Sequence, residues 1–187
     1  MASILPMDEL NRLNEEIRDR FGDESLQKRD KREEEDIIDE MLDLFLLAYA
    51  MGNTVTNENL ESDYTPSMDE VMDTVDAEVA GKTWRDRVED YFSNGGTGAD
   101  LARIATTEVH RIANQAAYET AKADGATEKT WHCMMLPTSR DTHIYLDGVK
   151  APIDGEFYSF KGGSTKFPGQ WGIAEEDVNC LCWLSFS

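Results

Sequence analysis

The spacing of apolar residues changes at Gly125, and this change constrains the fold class of the 187-residue chain more than any other feature. Ahead of Gly125 the apolar residues recur every three or four positions, which is the period of amphipathic helices. Behind it they fall in short runs separated by glycine, proline and aspartate, as strands joined by turns do. The sequence therefore predicts an α+β fold: an acidic helical region at 1–95, then a small α+β domain at 96–187 with one long helix and short antiparallel strands.

A broad apolar stripe marks a helix predicted to run from Glu33 to Gly52, where glycine followed by Asn53 suits a helix C-terminus. A polar loop is expected to follow at 53–66. The stripe is wide enough to require burial, either in the core of this chain or against a partner chain. The residues that we assign to partner contact lie on this stripe and on a short helix at 82–93, and they are Ile38, Leu42, Phe45, Tyr49 and Trp84.

Cap patterns indicate where two further helices begin. Ser67 with Glu70 has the spacing of a capping box, in which the two side chains satisfy free amides at a helix start. Thr97 with Asp100 has the same spacing and opens a long alanine-rich helix that ends at Gly125. Alanine side chains allow close packing, so this helix is expected to lie against a sheet or another helix.

Residues 1–32 are polar and charged. Leu10, Leu13 and Ile17 form a thin apolar stripe, and the run 27–36 has no apolar residue. Such a run is usually a solvated helix face or a linker, and we expect one of these two for 27–36.

Three short strands are predicted after the long helix, at 129–136, 156–160 and 180–186. Between the first two, a short helix or turn is expected to carry Arg140 and His143. Asp147 and Gly148 then give a turn signal.

The charge of the chain excludes several classes of partner. Lys plus Arg number 18 and Asp plus Glu number 38, which gives a formal charge of 18 − 38 = −20. Affinity for a phosphate backbone rests on Lys and Arg, so we expect no direct sequence-specific binding to nucleic acid. The most apolar run, at 41–51, is interrupted by Asp43 and is far shorter than the roughly 20 residues of a membrane span, so no membrane partner is expected.

Cysteine content and the N-terminal sequence bear on the compartment. The first 16 residues lack the basic start and apolar core of a secretion signal. Cys133, Cys180 and Cys182 make an odd count, which favours reduced thiols in a cytoplasm, or a metal site, over a disulfide framework.

An ordered set of short motifs extends from the long helix to the C-terminus: Thr107-Glu108, Arg111, Asn114, Lys129-x-Trp131, Thr138-x-Arg140-x-x-His143, Leu146-Asp147-Gly148 and Asn179-Cys180-Leu181-Cys182. In this order the set resembles the phage minor head protein family, that is, the Mu F-like or SPP1-type head morphogenesis proteins, over about residues 100–187. Many relatives carry Cys-x-x-Cys at 140–143 and Asn-Cys-Arg-Cys at 179–182, and this chain departs from both patterns.

The resemblance implies a structural minor head protein of a tailed bacteriophage or prophage, with no enzymatic activity and no cofactor. Such proteins enter the procapsid with the portal and assist head assembly or DNA delivery. The portal protein is the implied partner, and scaffold or major capsid protein is a further candidate. The implied location is inside the capsid near the portal, after assembly in the host cytoplasm. The helix faces centred on Phe45 and Trp84 would then dock on the portal or on a second copy.

The polar residues of the motifs allow two interpretations. In the first, they form a structural lock in which Arg140 pairs with an acidic side chain and His143 bonds to a loop carbonyl. The residues assigned to this lock are Glu108, Arg111, Arg140, His143 and Asp147. In the second, the domain is a small toxin or nuclease-like enzyme that uses His143 as acid or base and Arg140 on a phosphate.

The cysteines also allow two interpretations. They are either small core residues beside tryptophans, which is the one that we adopt, or zinc ligands. A tetrahedral zinc site would use His143, Cys180 and Cys182, with Cys133 or His132 as the fourth ligand.

Overall fold

A computed structural model describes residues 7–22 and 30–187 of the chain. The elements in chain order are α1 (Met7–Phe21), α2 (Lys31–Leu60), α3 (Met68–Val75), α4 (Trp84–Asn94), α5 (Gly98–Ala123), β1 (Glu128–His132), α6 (Asp141–Leu146), β2 (Lys150–Pro152), β3 (Phe157–Tyr158), β4 (Ser164–Thr165), α7 (Ala174–Asp177) and β5 (Trp183–Phe186). The predicted α+β class is confirmed.

The long helix α5 is the centre of the fold, and α1, α2, α3, α4 and β5 all contact it. The thin stripe of α1 is buried, with Leu10, Leu13, Ile17 and Phe21 all inside the core. This narrow apolar stripe is sufficient to hold α1 in place, because α1 packs on only one side of α5. Burial of these side chains removes apolar surface from water and holds a helix whose other faces are charged.

The helix α2 extends beyond its predicted end, so the prediction of a C-terminus at Gly52 was wrong. It continues to Leu60 and ends where Glu61 adopts the left-handed conformation. Gly52 has another role: a Cβ atom built there would lie 2.3 Å from the carbonyl oxygen of Ala113 in α5. The missing side chain therefore lets the backbones of α2 and α5 approach closely, and the polar loop predicted at 53–66 shortens accordingly.

The start of α2 lies inside the polar run predicted to be a solvated face or linker. Residues 27–29 of that run fall outside the described part of the chain. Asp30 caps the helix through the backbone N–H groups of Arg32 and Glu33, and the rest of the run forms the first turns of α2.

The aromatic residues predicted to bind a partner lie inside this chain instead. Phe45 and Trp84 are fully buried, with ring centroids 4.9 Å apart in an edge-to-face arrangement, and Tyr49 is buried as well. Ile38 and Leu42 are partly buried against the same core. The reason is that α4 and α5 fold back over α2 and cover its broad stripe, so these side chains stabilise the fold rather than offering a surface.

One hydrophobic core extends across the boundary predicted at 95/96. Side chains of α1, α2 and α4 share it with α5, β1 and β5. The helices at 1–95 therefore pack on the C-terminal half rather than standing apart from it.

Both predicted cap patterns are confirmed as capping boxes. The Ser67 hydroxyl accepts from the backbone N–H of Glu70 at the start of α3, and Thr97 accepts from Asp100 at the start of α5. A capping box involves only four consecutive residues, so its sequence pattern can be recognised without knowledge of the tertiary fold.

A three-stranded antiparallel sheet in the order β2-β1-β5 follows α5, and β3 pairs with β4 in a separate hairpin. The predicted strands occur but are shorter than expected. The first ends at His132, and the last begins at Trp183 rather than at Cys180. Trp131 on the central strand is fully buried and packs edge-to-face on Phe157, with ring centroids 5.1 Å apart.

Across 7–22 and 30–187, none of the helices is both long and apolar enough to cross a membrane.

The contact at Gly52 gives a test of the helix crossing. We expect Gly52→Ala to lower the free energy of unfolding, because the new methyl group meets a backbone oxygen that cannot rotate away. Overpacking of this kind costs about 1–3 kcal/mol, which outweighs the gain of up to about 1 kcal/mol in helix propensity. Denaturant unfolding followed by circular dichroism measures the change.

The matched control for this test is Thr54→Ala, an exposed position in the same helix. It should leave the free energy of unfolding unchanged or slightly raised. Equal stability of Gly52→Ala and wild type would contradict the close backbone approach.

Candidate functional site

Two separate clusters contain the residues assigned to the polar lock. The first joins α5 to the end of α3. Arg111 Nε donates to Glu108 Oε2 at 2.6 Å, and the guanidinium also donates to the carbonyl oxygens of Thr74 at 3.0 Å and Val75 at 3.1 Å. Arg87 reaches the same carboxylate at 3.3 Å. Arg111 and Glu108 therefore form a buried salt bridge. Carbonyl groups of α3 accept further hydrogen bonds from Arg111, and Arg87 of α4 donates to Glu108.

The second cluster is centred on His143 in α6. Its Nδ1 atom lies 3.5 Å from Cys180 Sγ and 3.4 Å from Cys182 Sγ. On the other side of the ring, Nε2 lies 3.0 Å from Glu176 Oε2, close enough for an ion pair although the N–H bond is not aligned for a hydrogen bond. Imidazole, thiols and carboxylate are all buried, and together they form a sealed cluster.

Glu176 is held in place by two hydroxyl groups. Thr142 Oγ1 donates to its Oε2 atom at 2.7 Å, and Ser159 Oγ donates to its Oε1 atom at 3.0 Å. The sequence analysis did not single out this residue. It lies in an acidic run at 175–177 that has the pattern of a solvated helix turn, and no local signal separates it from its exposed neighbour Glu175.

Arg140 and Asp147 have other partners than predicted. The Arg140 guanidinium donates to the carbonyl of Val178 rather than to Glu108 or Asp147. Asp147 accepts a hydrogen bond from the backbone N–H of Cys133 at 2.8 Å. Both contacts hold backbone segments that lead into the cysteines, so these residues position the second cluster and do not join it to the first.

The cysteine segment turns before the last strand begins. Asn179 has a φ of 55°, in the left-handed region. Asn114 of α5 donates from Nδ2 to the carbonyl oxygen of Cys182 at 3.0 Å. This turn and this anchor bring the thiols of Cys180 and Cys182 to the same imidazole nitrogen.

The thiols perturb one another. The hydrogen bond with Cys182 lowers the pKa of Cys133 to about 6. The pKa of Cys180 is also lowered, first by Cys182 and then by His143. The pKa of Cys182 is raised, because it interacts with both other sulfurs and is buried. Burial acts to lower the pKa of His143, but its contact with Cys180 outweighs this and raises it.

A small cavity of about 40 Å³ adjoins the cluster and is lined in part by Cys133, Ser139, Arg140, His143 and Cys182. This is room for a water molecule or an ion. Sites for organic ligands have volumes of about 300–1,000 Å³, so the cavity beside His143 and Arg140 is much too small for a nucleotide.

The other two histidines lie outside the cluster. His132, one of the two predicted fourth ligands, bonds to Ser185 Oγ at 2.7 Å and stacks on Trp183. His110 is buried on another side of α5, where its Nε2 atom accepts from Asn14 Nδ2 of α1 at 2.8 Å. His110 and Arg111 are adjacent in sequence, but their side chains contact different helices, α1 and α3 respectively.

The protein is an α+β protein. Its helices pack around α5, and a short sheet with a buried His–Cys cluster follows them. The family model described as Phage Mu protein F like protein matches residues 53–185. The chain therefore belongs to the phage Mu protein F like family, which confirms the resemblance and extends it into α2.

Two curated proteins illustrate the relationship. The chain is 33% identical over 148 aligned residues to NAD(+)--arginine ADP-ribosyltransferase EFV of Enterococcus faecalis, covering 61% of this chain and 30% of that protein. It is 36% identical over 87 residues to Minor head protein GP7 of Bacillus phage SPP1, covering 44% of this chain and 28% of that protein. The chain thus spans less than a third of either relative. No solved structure is significantly similar to it.

The burial of His110 predicts a pH dependence of stability. Burial lowers the pKa of His110 from 6.5 to about 4 in the native protein. On acidification the unfolded chain binds a proton near pH 6.5 that the native imidazole does not accept until about pH 4. This contribution to stability is therefore complete above pH 6.5 and is lost as the pH falls to 4, by about 3 kcal/mol in all.

Comparison with His110→Gln measures this contribution. The free energy of unfolding of the wild type should fall by about 3 kcal/mol more than that of the variant between pH 7 and pH 4. His132→Gln serves as the comparison: burial also lowers the pKa of His132, but this side chain is only partly buried, so its difference from the wild type should be smaller. Parallel curves for wild type and His110→Gln would contradict the buried neutral imidazole.

Proposed function

We propose that this chain is a structural minor head protein of a tailed bacteriophage or prophage, associating with the portal and assisting head assembly or DNA delivery. Membership of the Mu protein F like family and the similarity to Minor head protein GP7 support this proposal. The observation that carries it is that His143, with its thiol and carboxylate partners, is buried by its own chain. An enzyme needs a site that a substrate can enter.

Burial makes His143 and Glu108 poor candidates for catalysis. His143 is 2% exposed and contacts two thiols and Glu176, while Glu108 is 4% exposed and pairs with Arg111. Their charged and polar atoms therefore have partners within the chain. The cavity beside His143 has a volume of about 40 Å³ and the one that Glu108 helps to line has about 190 Å³, both below the range of sites for organic ligands. In this arrangement the clusters fix the relative positions of α3, α5, α6 and α7.

The net charge supports protein rather than DNA as the contact. A chain with a formal charge of −20 repels the phosphate backbone and has few cations with which to release counterions. A minor component of a DNA-filled head with this charge stays off the genome. Its contacts with the portal are then made by side chains that are not acidic.

The exposed aromatic pair Tyr145 and Phe160 is the surface that we assign to this contact. Their rings meet edge-to-face with centroids 6.0 Å apart, and they are 70% and 62% exposed. Ile144 beside Tyr145 is also exposed. Large aromatic side chains in contact with each other on a surface are typical anchors of protein interfaces. This pair takes the role that sequence reasoning gave to the buried Phe45 and Trp84.

A second candidate function is ADP-ribosyl transfer, and the similarity to the Enterococcus faecalis protein of that name is the observation in its favour. The match covers 30% of that protein, so it leaves most of the transferase outside the comparison. The small cavity beside His143 weighs against it, because a dinucleotide needs a far larger site.

Binding to the portal protein of the same phage tests the first proposal. The purified full chain should co-purify with the portal, and Tyr145→Ser combined with Phe160→Ser should weaken binding at least about tenfold, because two aromatic anchors are lost. Titration of the labelled chain into portal measures the affinity.

The double variant Leu47→Ser with Met68→Ser is the matched control, since both residues are exposed apolar side chains of the N-terminal helices. It should bind as the wild type does. Weaker binding of this control alone would move the contact to those helices, and failure of the wild type to bind the portal would contradict the proposed association.

An assay with NAD, DNA and RNA separates the two functions. The full chain is incubated with labelled NAD and an arginine-containing acceptor protein, with the Enterococcus protein as positive control. We expect neither transfer of ADP-ribose nor cleavage of either nucleic acid. Activity that disappears in folded His143→Ala and Arg140→Ala variants would favour the enzyme instead.

A further inference from the structure

We propose that His143, Cys180, Cys182 and Cys133 bind one Zn²⁺ ion in a closed site that ties together the irregular part of the domain. The inference does not depend on the proposed role in the phage head. It rests on the positions of the ligand atoms, on what holds them there, and on a small cavity that Cys133, His143 and Cys182 line.

The distances between ligand atoms fit a tetrahedral zinc ion. A nitrogen about 2.0 Å and a sulfur about 2.3 Å from one tetrahedral Zn²⁺ are about 3.5 Å apart. The Nδ1 atom of His143 lies 3.5 Å from Cys180 Sγ and 3.4 Å from Cys182 Sγ. The three ligand atoms all lie within 4.8 Å of one another. Ordinary core packing of two thiols against an imidazole does not require both sulfurs to face one ring nitrogen.

The surroundings of His143 match those of a metal-binding histidine. Such a histidine presents one nitrogen to the metal and the other to a carboxylate, which fixes the orientation of the ring. Here Nδ1 faces the sulfurs, and Nε2 lies 3.0 Å from Glu176 Oε2. The carboxylate is itself fixed by Thr142 and Ser159. Burial of the Glu176 carboxylate costs free energy, and its presence is explained if it orients a metal-binding imidazole.

Aromatic side chains form the outer wall of the site. Trp171 stacks on the His143 ring with centroids 6.2 Å apart, and Trp131 meets it edge-to-face at 5.9 Å. This wall shields one side of the cluster from water, which strengthens metal–ligand contacts there.

Cys133 is the fourth ligand. Its backbone N–H is held by Asp147, and its side chain must turn toward the three grouped ligand atoms of His143, Cys180 and Cys182 to complete the set. It lines the cavity of about 40 Å³ together with His143 and Cys182, and this volume suits a single ion. His132, the other predicted fourth ligand, is engaged by Ser185 and Trp183 and does not line that cavity.

The site explains how a part of the fold with little regular structure is held. Its ligands come from the end of β1, from α6 and from the turn before β5, where the strands are two to five residues long. A zinc ion with four protein ligands has no open position for a substrate, which is the arrangement of structural sites. Binding exchanges thiol protons for the metal and adds its free energy to folding.

Metal analysis of the full chain, purified under reducing conditions from medium containing zinc, tests the proposal. We expect about one Zn²⁺ per chain by elemental analysis, and removal by a chelator should lower the melting temperature. Replacement by Co²⁺ should give the absorption of a tetrahedral ion with sulfur-to-cobalt charge transfer, a signature that simple core packing of thiols does not produce.

Variants identify the ligands in the same cobalt spectrum. Cys180→Ser and Cys133→Ser should each lose charge-transfer intensity, and Glu176→Gln should bind Zn²⁺ about 10–100-fold more weakly with the tetrahedral spectrum retained. His132→Gln is the matched control and should bind as the wild type does. Circular dichroism of each variant separates loss of metal from loss of fold.

Three results would overturn the proposal. The first is a folded, reduced chain with no stoichiometric metal and no cobalt spectrum. The second is a disulfide among the three cysteines in protein that has not been oxidised on purpose, seen as a mass loss of one hydrogen per sulfur. The third is an unchanged charge-transfer band in Cys133→Ser, which would remove the fourth ligand.

Discussion

The packing of small residues along α5 is the constraint on which the rest of the structure depends. Seventeen of its 26 residues are buried, because neighbours cover it on several sides. A helix surrounded in this way needs short side chains wherever a second backbone comes close. Ala113 meets Gly52 of α2, and Gly169 of the loop before α7 crosses α5 at Arg111, where a Cβ atom would lie 3.1 Å from the Arg111 Cα. The two faces of α5 thus position both the N-terminal helices and the loops of the C-terminal part.

The His–Cys cluster also depends on α5, through hydrogen bonds between side chains of α5 and the backbone of the cysteine turn. Asn114 donates to the carbonyl of Cys182 at 3.0 Å, and Thr107 Oγ1 accepts from the backbone N–H of Asn179 at 3.3 Å. Both residues belong to the motif that carried the family resemblance. Their side chains fix backbone groups of the cysteine turn, so a shift of α5 would move the thiols away from His143. The motif thereby links the helical core to a cysteine turn more than 60 residues away in sequence.

Local signals in the sequence predicted the α+β class, the two capping boxes and the approximate strands, because each of these depends on a few neighbouring residues. The end of α2 was missed because glycine signals a helix C-terminus locally, whereas Gly52 is required by a contact with Ala113 that no local pattern reveals. The cluster was predicted in part. Histidine and cysteine are rare enough to stand out, but Glu176 is one acidic residue among 38, and only the fold brings it to His143.

The distribution of charge explains why the buried carboxylates Glu108 and Glu176 have dedicated partners. The chain has a formal net charge of −20, and most of its acidic residues are solvated. An unpaired carboxylate in the interior would cost several kcal/mol, so each buried one needs a dedicated partner set. Glu108 has Arg111 and Arg87, and Glu176 has two hydroxyl groups and an imidazole. Each set draws on elements distant in sequence, so the same contacts that make the charges tolerable also fix the tertiary arrangement. The buried carboxylates are thus engaged within the chain, and the proposed contact with another protein falls to exposed side chains on a surface that is otherwise acidic.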